Sequence, residues 1–134
     1  EKKSGNIYNI EEVKKILPFR IISEINLKNI EFETHQLLFI RDYINKNCRG
    51  NLYFINLENI QSKDLEKFKK ALRKQDFKEE IKFYSSEEFF NKVEEKDAKF
   101  LIMKLGCINY QELLMLKKRK DFLDVTFDGI IIIN

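Results

Sequence analysis

The sequence is poor in the residues on which several kinds of chemistry depend. It has one histidine, two cysteines, one proline and four glycines in 134 residues. With His35 alone, Ser-His-Asp and Cys-His arrangements and multi-histidine metal sites cannot be assembled within the chain. Cys48 and Cys107 lie far apart, without the short spacing of a zinc knuckle or a redox pair, so two reduced thiols are expected rather than a disulfide. Four glycines cannot build a phosphate-cradling loop, and neither G-x-x-x-x-G-K nor G-x-G-x-x-G occurs. No apolar run approaches the roughly 20 residues that span a bilayer, so no membrane insertion is expected. The opening Glu1-Lys2-Lys3-Ser4-Gly5 has neither a signal-peptide core nor an initiator Met. The expectation is one cytoplasmic α/β domain over residues 1–134, cut from a longer chain.

What is present is a mixed charge and a regular alternation of apolar strands with amphipathic helices. The 25 basic and 22 acidic side chains leave a net +3, which permits nucleic acid as a partner without implying it. Asn9 with Glu12 has capping-box spacing before a short helix carrying Ile10, Val13 and Leu17, and Pro18 ends it. Phe19 to Leu27 alternates like a strand partly open to water. Thr34 is read as the cap of a helix through Asn47 with Leu37, Ile40 and Ile44 inward, and Gly50 as its stop.

Leu52 to Ile55 reads as a buried strand, and Ser62 as the cap of a helix whose Leu65, Phe68 and Leu72 face inward. Ile81 to Tyr84 is a short alternating strand, followed by Ser85 and Glu88 in capping-box spacing and a helix with Phe89, Phe90 and Val93. Phe100 to Met103 is a continuous apolar strand. Asn109 and Glu112 open a helix bearing Leu113, Leu114 and Leu116, and Gly129 leads into the buried run Ile130 to Ile133. Phe89, Phe90, Tyr110 and Phe122 are assigned to the core, with one or two of them left as candidates for a partner patch. Strands separated by helices predict right-handed crossovers and a largely parallel sheet with helices on both faces.

From Leu52 onward, Tyr53-Phe54-Ile55-Asn56-Leu57-Glu58, a helix, and then Lys82-Phe83-Tyr84-Ser85-Ser86-Glu87-Glu88 resemble the opening of a response-regulator receiver domain. The likeness continues through Lys99 to Leu105, the helix near Glu112 to Lys118, and Gly129 to Asn134. Ile21 to Lys28 with the helix Thr34 to Asn47 resembles the family's last strand and helix, so the order would be permuted or the chain would be cut across two tandem receivers. The resemblance implies a three-layer α/β sandwich around a five-stranded, mainly parallel sheet of the flavodoxin or receiver kind. Edge polarity provides a physical test, because long apolar edges invite aggregation whereas buried parallel strands are continuously apolar. In receiver order the edges are Ile81–Tyr84 and Phe19–Leu27, the two polar strands, whereas the chain's own order would put Leu52–Ile55 and Ile130–Ile133 there. The resemblance in its permuted register therefore implies the order Ile81, Leu52, Phe100, Ile130, Ile21, each strand named by one member.

The resemblance also implies which positions should carry chemistry. Receivers place two acids at the end of the first strand, an aspartate at the end of the third, a hydroxyl at the end of the fourth and a lysine at the end of the fifth. Here those positions are Asn56 and Leu57, Lys104, Asn134 and Lys28, of which only Lys28 fits. Lysine cannot take a phosphoryl group in place of a carboxylate, and leucine offers no oxygen to Mg²⁺. Lys104 is read either as snorkelling to water or as an internal cation paired with Glu58.

The resemblance therefore points to a non-catalytic regulatory domain without cofactor or metal, in a signalling polypeptide, acting through a protein partner. Two alternatives stay open. A nucleic-acid-associated α/β module would use the basic helices, with Lys69, Lys70 and Lys118 as its surface, although Asp64, Glu66 and Asp121 interrupt them. A non-catalytic part of a larger enzyme is the other. The carboxylate pairs Glu79-Glu80, Glu87-Glu88 and Glu94-Glu95 are expected on helix starts or exposed faces, without an acid–base role.

Overall fold

The computed structural model describes residues 5–57, 60–92 and 96–134. A short β1 (Asn6–Ile7) precedes α1 (Ile10–Ile16) and β2 (Ile21–Ile25), and a 3-10 segment (Leu27–Phe32) runs into α2 (Thr34–Asn47). Then follow β3 (Leu52–Asn56), α3 (Ser62–Arg73), β4 (Ile81–Ser85), α4 (Ser86–Phe89), β5 (Ala98–Lys104), β6 (Ile108–Asn109), α5 (Tyr110–Phe122) and β7 (Gly129–Ile133).

Five strands form one sheet in the order β4-β3-β5-β7-β2, and every neighbouring pair is parallel. This is the order expected for the permuted register, with the two polar strands at the edges. The hydropathy of each strand explains its place. In β7 all four isoleucines are fully buried, two to each face, which only an interior strand covered on both sides allows. Such burial contributes about 1.5–3 kcal/mol per side chain. At the edges, no residue of β4 is fully buried, and Glu24 of β2 points to solvent. Charge and polarity there discourage pairing with another chain.

Helices α2 and α3 cover one face, burying Leu37, Ile40, Ile44, Phe68 and Leu72 against Phe54, Phe100, Ile131 and Ile133. Phe54 is the aromatic centre of that face. It stacks on Phe83 at 5.5 Å, meets Phe100 at 5.7 Å and takes the edge of Phe68 at 6.5 Å. The other face is covered by α1, α4 and α5, with Val13, Phe89, Leu113 and Leu116 packed on Tyr53, Leu101, Met103 and Ile130. The result is a three-layer α/β sandwich.

Several local expectations are corrected. Thr34 and Ser62 are first helical residues, not caps. Glu33 occupies the N-cap before α2 because the 3-10 segment already turns the chain there, with the Glu33 N–H on the Ile30 carbonyl at 3.0 Å. Gln61 is the N-cap of α3, and its carbonyl accepts from Asp64 and Leu65 at 3.1 and 3.0 Å. The capping box of Ser85 and Glu88 is formed, but it opens a helix of a single turn ending at Phe89, and Val93 lies outside the described residues. Tyr110 and Phe122 are not core residues: they are 43% and 87% exposed on α5. Their neighbours Leu113 and Leu116 take the inward stripe, leaving them to the outer faces. The β1–β6 antiparallel ladder, Asn6 opposite Asn109, was not anticipated. Two residues per strand are too few to leave a periodic signal.

Candidate functional site

In an open parallel sheet a crevice opens at the carboxyl ends where the connections from two adjacent strands leave in opposite directions along the sheet. Here that place lies between β3 and β5. After β3 the chain runs through α3 on one face to β4, and after β5 it runs through α5 on the other face to β7, on the opposite side. Strand register puts Asn56 beside Ile102, so Asn56, Leu57 and Lys104 stand around this opening.

Lys104 crosses it. Its Nζ donates to Oδ2 of Asp64 at 2.6 Å, and the two side chains are 24% and 17% exposed. Lys104 is thus held by a carboxylate rather than snorkelling to water, and Glu58, the partner expected from the sequence, lies outside the described residues. Asp64 sits in the first turn of α3, where a negative charge suits the helix dipole. The hydrogen bond to Asp64 is the main cause that holds the lysine pKa above its ordinary value, helped by the charges of Asp64 and Cys107 against the opposing desolvation. The pair ties the start of α3 to the end of β5.

The other anticipated positions share this edge but not this cluster. The Asn56 amide donates to the Leu57 carbonyl at 3.3 Å, and Leu57 is buried at 1% exposure, so its side chain belongs to the core. Asn134 continues the pairing of β7 with β2, exchanging backbone bonds with Ile25 and Leu27, and its amide turns outward to Glu24 at 2.7 Å. Lys28 is exposed in the 3-10 segment and takes no ion pair among the described residues. Sequence reasoning missed Asp64. The available signal was an acid in the first turn of a mainly basic helix.

Among the described residues, Asp64 is the carboxylate that reaches the crevice and it is paired with Lys104, and no group of three or more His, Cys, Asp or Glu side chains stands close enough to hold a metal. His35 is an exposed residue of α2. No described helix is long and apolar enough to cross a membrane.

The anticipated basic surface is divided. Lys69 and Lys70 lie on α3 and Lys118 on α5, on opposite sides of the sheet. Lys69 is also largely covered: it pairs with Glu66 at 3.4 Å and lies 4.9 Å from the centre of the Phe83 ring, where Arg73 joins it at 5.3 Å. These cations cover an edge-strand aromatic. Lys70 and Lys118 are exposed. A groove of about 630 Å³ separately follows α1 and α5, with Ile16 and Leu114 flanked by Glu12, Lys15 and Lys117.

Compared with known proteins, the chain matches no family model, no curated protein and no solved structure.

Proposed function

We propose that this chain is a receiver-like regulatory domain that performs no phosphotransfer and works by binding another protein, within a cytoplasmic signalling polypeptide. The observation that carries the reading is the Lys104–Asp64 pair at the switch point of a sheet whose strands run β4-β3-β5-β7-β2. The order is that of a receiver with its last strand moved to the front of the chain. On this reading a cation, Lys104, takes the place of the phosphate-accepting carboxylate, and the Asp64 carboxylate is bound to it. Phosphoryl transfer requires an in-line oxygen nucleophile and a metal to share the developing charge. Leu57 and the Lys104–Asp64 pair supply neither.

Such a domain keeps one conformation at this edge instead of switching between two, because the cation is covalently part of the strand. Its output is then constitutive, and its partner is recognised on the surface. The test is incubation of the protein with acetyl phosphate and Mg²⁺, followed by intact-mass measurement. The expected result is no added phosphate; stoichiometric incorporation would overturn the reading.

A further inference from the structure

The outer face of α5 carries apolar side chains that the fold does not use. Phe122 is 87% exposed, Met115 56% and Leu123 48%. Met115, Lys118, Arg119 and Phe122 recur at helical spacing and so form one stripe. The run Lys117, Lys118, Arg119 and Lys120 surrounds it. Asp121 serves Lys117 at 2.9 Å and Lys120 at 2.7 Å, while Lys118 and Arg119 take no ion pair among the described residues. Cations near a helix C-terminus suit the dipole. That accounts for the charge but not for a phenylalanine left in water.

We infer that this face docks an acidic, amphipathic segment of a partner protein, seating apolar anchors on Met115 and Phe122 and carboxylates on Lys118 and Arg119. The inference rests on the reading of the chain as a protein-binding domain and names the surface and the chemistry of the partner. A second copy meeting the same face would set these cations against each other. A phosphate-rich surface would press like charge on Asp121 and Asp124, which flank Phe122, whereas a peptide can leave those positions uncharged.

The test selects a random displayed peptide library on the immobilised protein. The recovered pool is expected to be rich in Asp and Glu with Leu, Ile or Phe at i, i+3 and i+4 spacing. A recovered peptide should lose at least about ten-fold in affinity on Phe122→Ser and on Lys118→Glu, and none on Lys70→Glu across the sheet. All three positions are exposed, and unchanged circular dichroism and thermal midpoint establish that the variants fold. A pool without acidic bias, or binding indifferent to Phe122→Ser, overturns the inference. So does Phe122-dependent self-association, or tighter Phe122-dependent binding to phosphatidylserine vesicles or a single-stranded oligonucleotide. Peptides that bind elsewhere would still leave a protein-binding domain, and phosphate labelling would end the inert-crevice reading without touching this surface.

Discussion

At the amino ends of the strands the described polar groups are tied to one another, two of them inside; at the carboxyl ends the described ones are partly or fully exposed. Lys99 and Asp97 are each 3% exposed. The Lys99 Nζ donates to the Asp97 carbonyl at 2.8 Å, and the Asn51 amide donates to the Asp97 carboxylate at 3.3 Å. Asp128 clamps the start of β5 twice, its N–H donating to the Lys99 carbonyl at 2.7 Å and its carboxylate accepting from the Lys99 N–H at 2.8 Å. At the opposite end stand Lys104–Asp64 and the outward Asn134–Glu24 contact. The difference separates two uses of polarity. Buried and mutually satisfied groups lock strands in register, while at the end where such folds receive ligands the described groups include the part-exposed Lys104–Asp64 pair.

Substitutions can break that contrast, and the largest effect is expected where the amino end is most tightly packed. A Cβ on Gly129 would meet Ile22 at 2.5 and 2.7 Å, which buried side chains cannot yield without moving β2 from β7. Gly129→Ala should cost about 2–3 kcal/mol in urea denaturation. Combined with Ile22→Ala, which makes room, its cost should fall well below that seen alone. Additive losses would show that the close approach is not the cause. Asp128→Ala comes next, at about 2 kcal/mol, because it removes a charged acceptor from the Lys99 N–H. Asp128→Asn keeps an acceptor oxygen and should lose less.

At the carboxyl end the expected effect is smaller. Asp64→Ala should cost about 1 kcal/mol, since the pair is partly open to water. The pH dependence fixes its sign. A lysine pKa raised in the folded protein stabilises it fully below the unfolded value near 10.5 and ceases to do so as pH climbs through the higher folded value. The difference in stability between wild type and Lys104→Met should therefore be flat through neutral pH and shrink in strong alkali. A difference that fell between pH 6 and 8 would assign the effect to another group.

Much of this architecture was legible because the strands differ in kind. Ile130 to Ile133 could only be interior, and Ile81 to Tyr84 with its lysine could only be an edge, so burial marked the edges, while the order of the interior strands was carried by the resemblance. The carboxyl-end positions were legible as positions, since a strand end is fixed by where the apolar run stops. Their partners were not. Asp64 reaches Lys104 from 40 residues away through the placement of α3, which no local spacing encodes. Phe122 was misplaced for a related reason: an aromatic on a helix carries no label of its face, and the inward positions were already filled by Leu113 and Leu116.

The smallest effect tests whether the amino end stays closed. Burial pushes the Cys48 thiol up to about 11, with the charge of Asp128 as the lesser cause. At pH 8 only about one thiol in a thousand is then ionised, so iodoacetamide should react slowly at Cys48 in a Cys107→Ser background. Its rate should climb about ten-fold per pH unit without levelling below pH 9.5. Asp128→Ala removes the lesser cause and leaves burial, so the rate at pH 8 should rise by less than about ten-fold. A larger rise would mean that the substitution opened the end itself. The clamp on Lys99 would then be what keeps water from the thiol, and the two ends of the sheet would differ by that contact more than by their packing.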